Sequence, residues 1–195
     1  RLFTMHGTTM VFFVGMPILF GTANFIVPLQ IGARDLAFPR LNAFGFWLFL
    51  LGGLLLYFSY FGGQGLQGMG SAPDVGWFAY APLSERTFSR GHSTDYWILG
   101  ILLSGIGSTT TAINLIATII GMRCPGMSLM KMPLLVWILL VDFILVLFAL
   151  PPLAAAQCLL LFDRTLGAHF FDTQAGGSAL LWQNLFWFFG HPEVY

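Results

Sequence analysis

Five long apolar segments are the feature that most constrains the fold of this 195-residue chain. A bilayer core is about 30 Å thick, and about 20 helical residues are needed to cross it. Four of the segments reach that length, and the fifth runs to the last residue. The predicted segments are 5–28, 42–62, 95–122, 133–162 and 179–195.

Composition supports a membrane location for these segments. Hydrophobic residues make up 57% of the chain and charged residues 8%, whereas a soluble domain carries about 25% charged residues. A chain in lipid must satisfy its backbone hydrogen bonds internally, and no segment alternates as a barrel strand does. The sequence therefore predicts an all-α, polytopic transmembrane helix bundle. The net charge of zero gives no indication of nucleic-acid binding, and Cys124 and Cys158 lack the spacing of a metal site.

The connections between the segments indicate an orientation. Loops 30–41 and 123–132 are short, whereas 62–94 and 163–178 are longer. The short loops carry four Lys or Arg residues and the longer ones three, so the positive-inside rule favours the short loops as cytoplasmic.

The last residues of the chain concentrate groups with possible chemistry. On a helix, His191 and Tyr195 are four residues apart and share a face, while Glu193 points elsewhere. Ionisable groups inside a membrane are costly and are commonly functional. A helix end at the membrane interface would also carry such residues, and the spacing alone leaves both interpretations open.

Three further polar residues are ambiguous on their own. A lone His6 near a helix end is commonly an interfacial residue, and Asp35 beside Arg34 is commonly a weak surface ion pair. Asp142 lies in the middle of an apolar segment, where an acid must be paired or protonated. It is either a proton site or a neutral acid bonded to a neighbouring helix, and we favour the second.

Three motifs resemble the catalytic subunit I of haem–copper terminal oxidases. WFFGHPEVY at 187–195 resembles the signature of these oxygen reductases, and MHG at 5–7 followed by MVFF resembles the segment with a low-spin haem ligand. VPLQIGARD at 27–35 resembles the entrance of a proton-uptake channel. The resemblance covers 1–195, a part of one transmembrane domain that we expect to continue beyond both ends. It would supply about five of roughly twelve spanning helices of about 20 residues each.

The resemblance implies roles at the end of the chain. His191 would be a copper ligand, and imidazole suits copper. Tyr195 would be cross-linked to that histidine and supply an electron and a proton for dioxygen cleavage. Glu193 would pass protons to the dioxygen site, and Trp187 would pack near it.

The resemblance also makes His6 an axial ligand of the low-spin haem iron, a normal role for imidazole. Gly7 would let a planar ring approach the backbone. Relatives commonly carry Asn at position 43 and Ser at positions 45 and 107, where this chain has Ala43, Gly45 and Gly107. The water chain of the channel is therefore expected to be held differently here.

A proton path is the third implication. Asp35 would collect protons at its mouth, because an exposed carboxylate binds them readily. Asn24 and Asn42 would bind water without trapping charge, and Ser108 and Asn114 would continue the path toward Glu193.

The implied function is reduction of dioxygen to water with electrons from cytochrome c, coupled to proton pumping. The implied cofactors are a low-spin haem, a high-spin haem and copper. This chain would supply one ligand of the low-spin haem and one of copper, so it is expected to be inactive alone. The implied partners are cytochrome c or quinol, a copper-bearing subunit II, a subunit III and the lipid bilayer. The bacterial plasma membrane is favoured over the mitochondrial inner membrane.

Two alternatives remain. A quinol oxidase is similar in this region, but there a quinone-contacting Gln is expected where Arg1 stands. A redox-inactive transporter would relay protons through Asp35, Asp142 and Glu193. It would give no function to His6 or to the His191–Tyr195 pair. A purely structural subunit would leave the buried ionisable groups as an unexplained cost.

Overall fold

The computed structural model describes residues 1–62 and 72–195, and within these ranges it contains helices and no β-strand. Four helices are long and apolar enough to cross a membrane, and a fifth has 16 residues. The prediction of an all-α transmembrane bundle is confirmed. The first part of the long loop predicted at 62–94 lies outside the described residues. The helices are α1 (Leu2–Ile31), α2 (Pro39–Gly62), α3 (Ser93–Gly121), α4 (Leu134–Leu166) and α5 (Ala179–Val194).

Each helix contains most of the corresponding predicted segment and differs from it by a few residues at the ends. Helices α1 and α4 both end on a glycine in the left-handed conformation, Gly32 with φ +71° and Gly167 with φ +67°. Glycine adopts this conformation at no steric cost, so it is the usual residue after a helix. Short loops then return the chain to the bundle, where α2 packs on α3, α3 on α4, and α4 on α5.

Helix α1 is interrupted by a wider π-helical stretch at Thr9–Gly15. There the N–H of Met16 donates to the carbonyl of Val11, five residues back. Pro17 follows, and a proline ring collides with the carbonyl four residues earlier in a regular α-helix. The wider turn relieves this collision. It also sets the rotation of the His6 half of the helix relative to the half with Asn24, and such bulges are frequent at functional sites.

The α2–α3 contact depends on glycines seven residues apart. A Cβ on Gly52 would lie 2.6 Å from the carbonyl oxygen of Gly100, and one on Gly107 would lie 2.7 Å from that of Gly45. The two backbones are therefore in direct contact, as small residues permit in membrane helices. Gly105 and Gly107 are both small enough to permit such packing, but a Cβ on Gly105 would meet nothing within 4 Å. Only Gly107 faces α2.

Arg164, near the end of α4, binds the loop before α3. Its side chain is 1% exposed and forms an ion pair with Asp95. The guanidinium also donates to the carbonyls of Ser84 at 2.6 Å, Ser89 at 3.1 Å and Gly91 at 3.0 Å. A planar guanidinium can serve several acceptors at fixed angles. Arg164 is one of the three basic residues assigned to the longer loops from the sequence. In the structure it is buried, and it fixes the loop that leads into α3.

Candidate functional site

His6 lies on the exposed side of the first turns of α1. The opposite face is buried, and two hydroxyls on it accept hydrogen bonds: Thr8 from the indole of Trp97 at 2.9 Å, and Thr4 from the N–H of Gly76 at 2.8 Å. These contacts fix the rotation of the helix. They leave the imidazole directed away from the protein, as binding a large planar group beside the bundle would require.

Gly7 has a clear steric role in this structure. A Cβ there would lie 3.0 Å from both Cβ and Cδ1 of Trp77. The ring that approaches this glycine is therefore the Trp77 indole, whereas the sequence suggested a bound ring. Trp77 packs edge-on against Phe186 and Trp187 of α5, with ring centroids 5.5 and 5.7 Å away. The loop at 75–82 thus joins the start of α1 to α5.

His191 and Tyr195 lie together at the end of α5. Their ring centroids are 4.6 Å apart, which confirms the predicted shared face. Both side chains are exposed. One turn earlier, the indole N–H of Trp187 donates to the hydroxyl of Tyr80. This bond ties the helix with His191 to the loop that packs against Gly7.

The predicted proton-path residues Asn24, Asn42 and Ser108 line one cavity of about 310 Å³. They come from α1, α2 and α3, so the cavity exists only where these three helices meet. The Oδ1 atom of Asn24 is buried and has no hydrogen-bond partner in the described residues. Buried polar atoms are normally bonded to protein or to ordered water, so the cavity has the size and polarity of a water-binding site.

Asn114 lies apart from that cavity and binds the loop before α2. Its Oδ1 accepts from the N–H of Phe38 at 2.8 Å, and its Nδ2 donates to the carbonyl of Phe38 at 3.2 Å. Thr118, one turn on, accepts from the N–H of Ala37 at 2.9 Å. Asp35 is exposed in this loop and accepts from the N–H of Leu36. The structure therefore shows Asn114 fixing the loop that carries Asp35, and its place in a water chain stays a prediction.

Asp142 and Glu193 line a second cavity, of about 40 Å³, between α1, α4 and α5. We favoured a hydrogen bond from Asp142 to a neighbouring helix, and no such bond is formed within the described residues. Its Oδ2 is buried without a hydrogen-bond partner in the described residues. The sequence does not predict that these two acids share a cavity, because residues 51 positions apart on different helices have no spacing that indicates contact.

The other two histidines, His92 and His169, are surface residues. His92 is 62% exposed and lies 2.8 Å from Asp95, and His169 is 57% exposed and lies 3.3 Å from Asp172. No group of three or more His, Cys, Asp or Glu side chains in residues 1–62 and 72–195 could hold a metal ion. Any metal bound by His6 or His191 would therefore need ligands from elsewhere.

Glu85, in the loop before α3, is a buried carboxyl with Oε1 unpartnered in the described residues. Its pKa is raised, chiefly because burial disfavours the charged form. The negative charges of Asp172 and Asp163 raise the pKa further, and His169 opposes them. The loop therefore favours a neutral acid at this position.

The helices and the polar sites define a helical membrane protein with exposed histidines on two of its helices and with cavities lined in part by polar side chains. Its sequence matches, over residues 1–195, the family described as cytochrome c and quinol oxidase polypeptide I. The chain belongs to this family of haem–copper oxidase subunits.

Several bacterial relatives are about half identical to the chain. Cytochrome c oxidase subunit 1 of Bacillus subtilis is 50% identical over 195 residues, and the probable cytochrome c oxidase subunit 1-alpha of Streptomyces avermitilis is 53% identical. Quinol oxidase subunit 1 of Bacillus spizizenii is 47% identical. All three matches cover the whole chain, which spans 30%, 32% and 29% of these relatives, respectively.

Proposed function

We propose that this chain is part of the catalytic subunit of a terminal respiratory oxidase of the bacterial plasma membrane. The enzyme reduces dioxygen to water with electrons from cytochrome c and couples this reaction to proton pumping. The observation that carries the proposal is the pairing of the His191 and Tyr195 rings at 4.6 Å on α5, in a chain of the oxidase family. The family match gives the transporter alternative no support.

The donor atoms fit the expected cofactors. His6 presents an exposed imidazole on a helix that the buried Trp97–Thr8 hydrogen bond fixes, and His191 presents one on a helix that the Trp187–Tyr80 hydrogen bond holds. Imidazole binds both haem iron and copper. We assign His6 to the low-spin haem and His191 to copper, with the remaining ligands supplied by other parts of the subunit. The bound haems and copper supply the electron transfer and dioxygen chemistry.

The residues near His191 have tasks in proton and electron delivery. The Tyr195 phenol lies against the imidazole, where it can give a proton and an electron. Trp187 holds this end of α5 through its bond to Tyr80. Protons enter at Asp35, follow water held by Asn24, Asn42 and Ser108, and reach Glu193.

The electron donor distinguishes two related functions. Cytochrome c is favoured because Arg1 occupies the position where we expect a quinone-contacting Gln. Oxygen uptake by the purified full-length oxidase with reduced cytochrome c, and separately with a quinol, tests this choice. Uptake with quinol alone would contradict it. The cytochrome c enzyme requires a copper-bearing subunit II, and a subunit III is the other expected partner.

The reduced-minus-oxidised visible spectrum of membranes containing the full-length subunit tests the haem assignment. We expect a low-spin haem band that His6→Ala abolishes, because an axial ligand is removed. His92→Ala is the matched control, since His92 is an exposed loop residue paired with Asp95. A band that survives His6→Ala would contradict the ligand role alone. If the folded parent shows no haem signal, the oxidase proposal itself fails.

A further inference from the structure

The small cavity between α1, α4 and α5 contains two carboxyl groups in an otherwise apolar lining. Asp142 comes from α4 and Glu193 from α5. Acids inside a membrane bundle are rare, because each costs free energy unless it is paired or solvated. Two acids on different helices that open into one small cavity therefore share a local environment.

The buried oxygen of Asp142 requires a polar partner. Its Oδ2 makes no hydrogen bond to the part of the chain that the structure describes. Burial of an unpaired polar atom is unfavourable by about 1–3 kcal/mol. A cavity of about 40 Å³ is large enough to hold water, and water would satisfy this oxygen.

The two cavities are neighbours. Met16 and Phe20 of α1 line both the large cavity with Asn24 and Asn42 and the small cavity with the two acids. Phe20 also stacks on Phe143, the residue after Asp142, with ring centroids 5.5 Å apart. Two apolar side chains thus separate the water-binding site of α1–α3 from the carboxyls.

We propose that Asp142 is a positioning residue of the proton path that holds water in the small cavity beside Glu193. The inference rests on the proposed oxidase function and extends it. If Glu193 were the only polar side chain in this cavity, few hydrogen bonds would hold water there. A second carboxyl on the facing helix anchors that water on the Glu193 side of the partition formed by Met16 and Phe20.

Two substitutions in the full-length oxidase separate water binding from helix packing. Asp142→Asn keeps hydrogen-bonding groups in the cavity, whereas Asp142→Leu removes them. Val141→Leu is the matched control, because it enlarges an apolar side chain at the adjacent, half-exposed position of α4 without changing its polarity. The measurements are the rate of proton uptake with a pH-indicator dye and the infrared carbonyl band of Glu193, assigned by its loss in Glu193→Gln.

We expect Asp142→Leu to slow proton uptake about tenfold and to shift the Glu193 band, because the water bonded to it is lost. Asp142→Asn should stay within about twofold of the parent, and Val141→Leu should match the parent in rate and band. An unchanged rate and band in Asp142→Leu would overturn the inference. Equal slowing by Leu and Asn would assign the effect to loss of the carboxyl group itself, and slowing by Val141→Leu would assign it to packing. Either result would overturn the inference.

The two proposals fail in different ways. If the unaltered parent has haem bands and consumes oxygen but Asp142→Leu behaves as the parent does, only the role of Asp142 is refuted. If the folded parent neither shows haem bands nor consumes oxygen, the proposed function fails, and the inference fails with it.

Discussion

At the scale of single residues, the environment decides what an ionisable side chain does. Arg164 is buried, pairs with the partly buried Asp95 and donates to several carbonyls, so removing Asp95 would leave a buried charge uncompensated. Asp35 lies in an exposed loop, where water solvates its charge. Glu85 is buried near two other acids, so its loop resists a further negative charge.

Glu85 makes a pH-dependent contribution to stability. Because its pKa in the folded protein is raised above 4.5, its contribution is complete below that pH and is lost as the pH rises through the folded pKa. Glu85→Gln keeps an uncharged side chain there. We expect it to raise the thermal unfolding midpoint of the detergent-solubilised parent at neutral pH, with the gain disappearing toward pH 4.5.

Asp74→Asn is the control for this experiment, because the Asp74 carboxyl is 73% exposed. It should give no pH-dependent gain. A midpoint for Glu85→Gln that equals the parent's at every pH would show that burial does not disfavour the charged form of Glu85.

At the scale of elements, backbone contact sets the position of α2 against α3. Gly45 and Gly52 on one helix meet Gly100 and Gly107 on the other, so neither helix can move away or rotate without losing the contact. The pair in turn fixes one side of the large cavity, which Gly45 and Gly107 also line.

Gly52→Ala should weaken this helix pair. The new Cβ would lie 2.6 Å from the Gly100 carbonyl oxygen, and the backbone would have to shift at a cost of about 1–3 kcal/mol. We expect a lower thermal midpoint of the full-length oxidase. Gly105→Ala should leave the midpoint unchanged or raise it, because it meets nothing within 4 Å and Ala favours helix by about 1 kcal/mol. Equal effects of the two substitutions would refute the contact.

At the scale of the whole molecule, the two cavities with the predicted proton-path residues each lie where three helices meet. The large cavity lies between α1, α2 and α3, and the small one between α1, α4 and α5. Helix α1 is common to both, and its π-helical stretch ends at Gly15, immediately before Met16. The geometry of this one helix therefore affects both cavities.

Asn42→Leu should interrupt the proposed water path, because an apolar side chain replaces an amide in the large cavity. We expect proton uptake and oxygen consumption by the full-length oxidase to fall about tenfold. Ala43→Leu is the control, since residue 43 is exposed and does not line the cavity. Proton uptake at the parent's rate in Asn42→Leu would show that protons take another route.

The helical fold follows from the sequence alone, because a chain in lipid must satisfy its backbone hydrogen bonds within helices and the hydropathy of the segments indicates where these helices lie. The sequence also identified His6, His191 and Tyr195 as candidate ligand and redox groups, since those residues belong to short local motifs. Other relations become visible only in the folded chain. Gly107 rather than Gly105 contacts α2, Trp77 covers Gly7, and Asp142 and Glu193 line one cavity. These relations join residues that are distant in sequence, and the rotation and crossing of helices depend on side-chain packing that local sequence patterns do not contain.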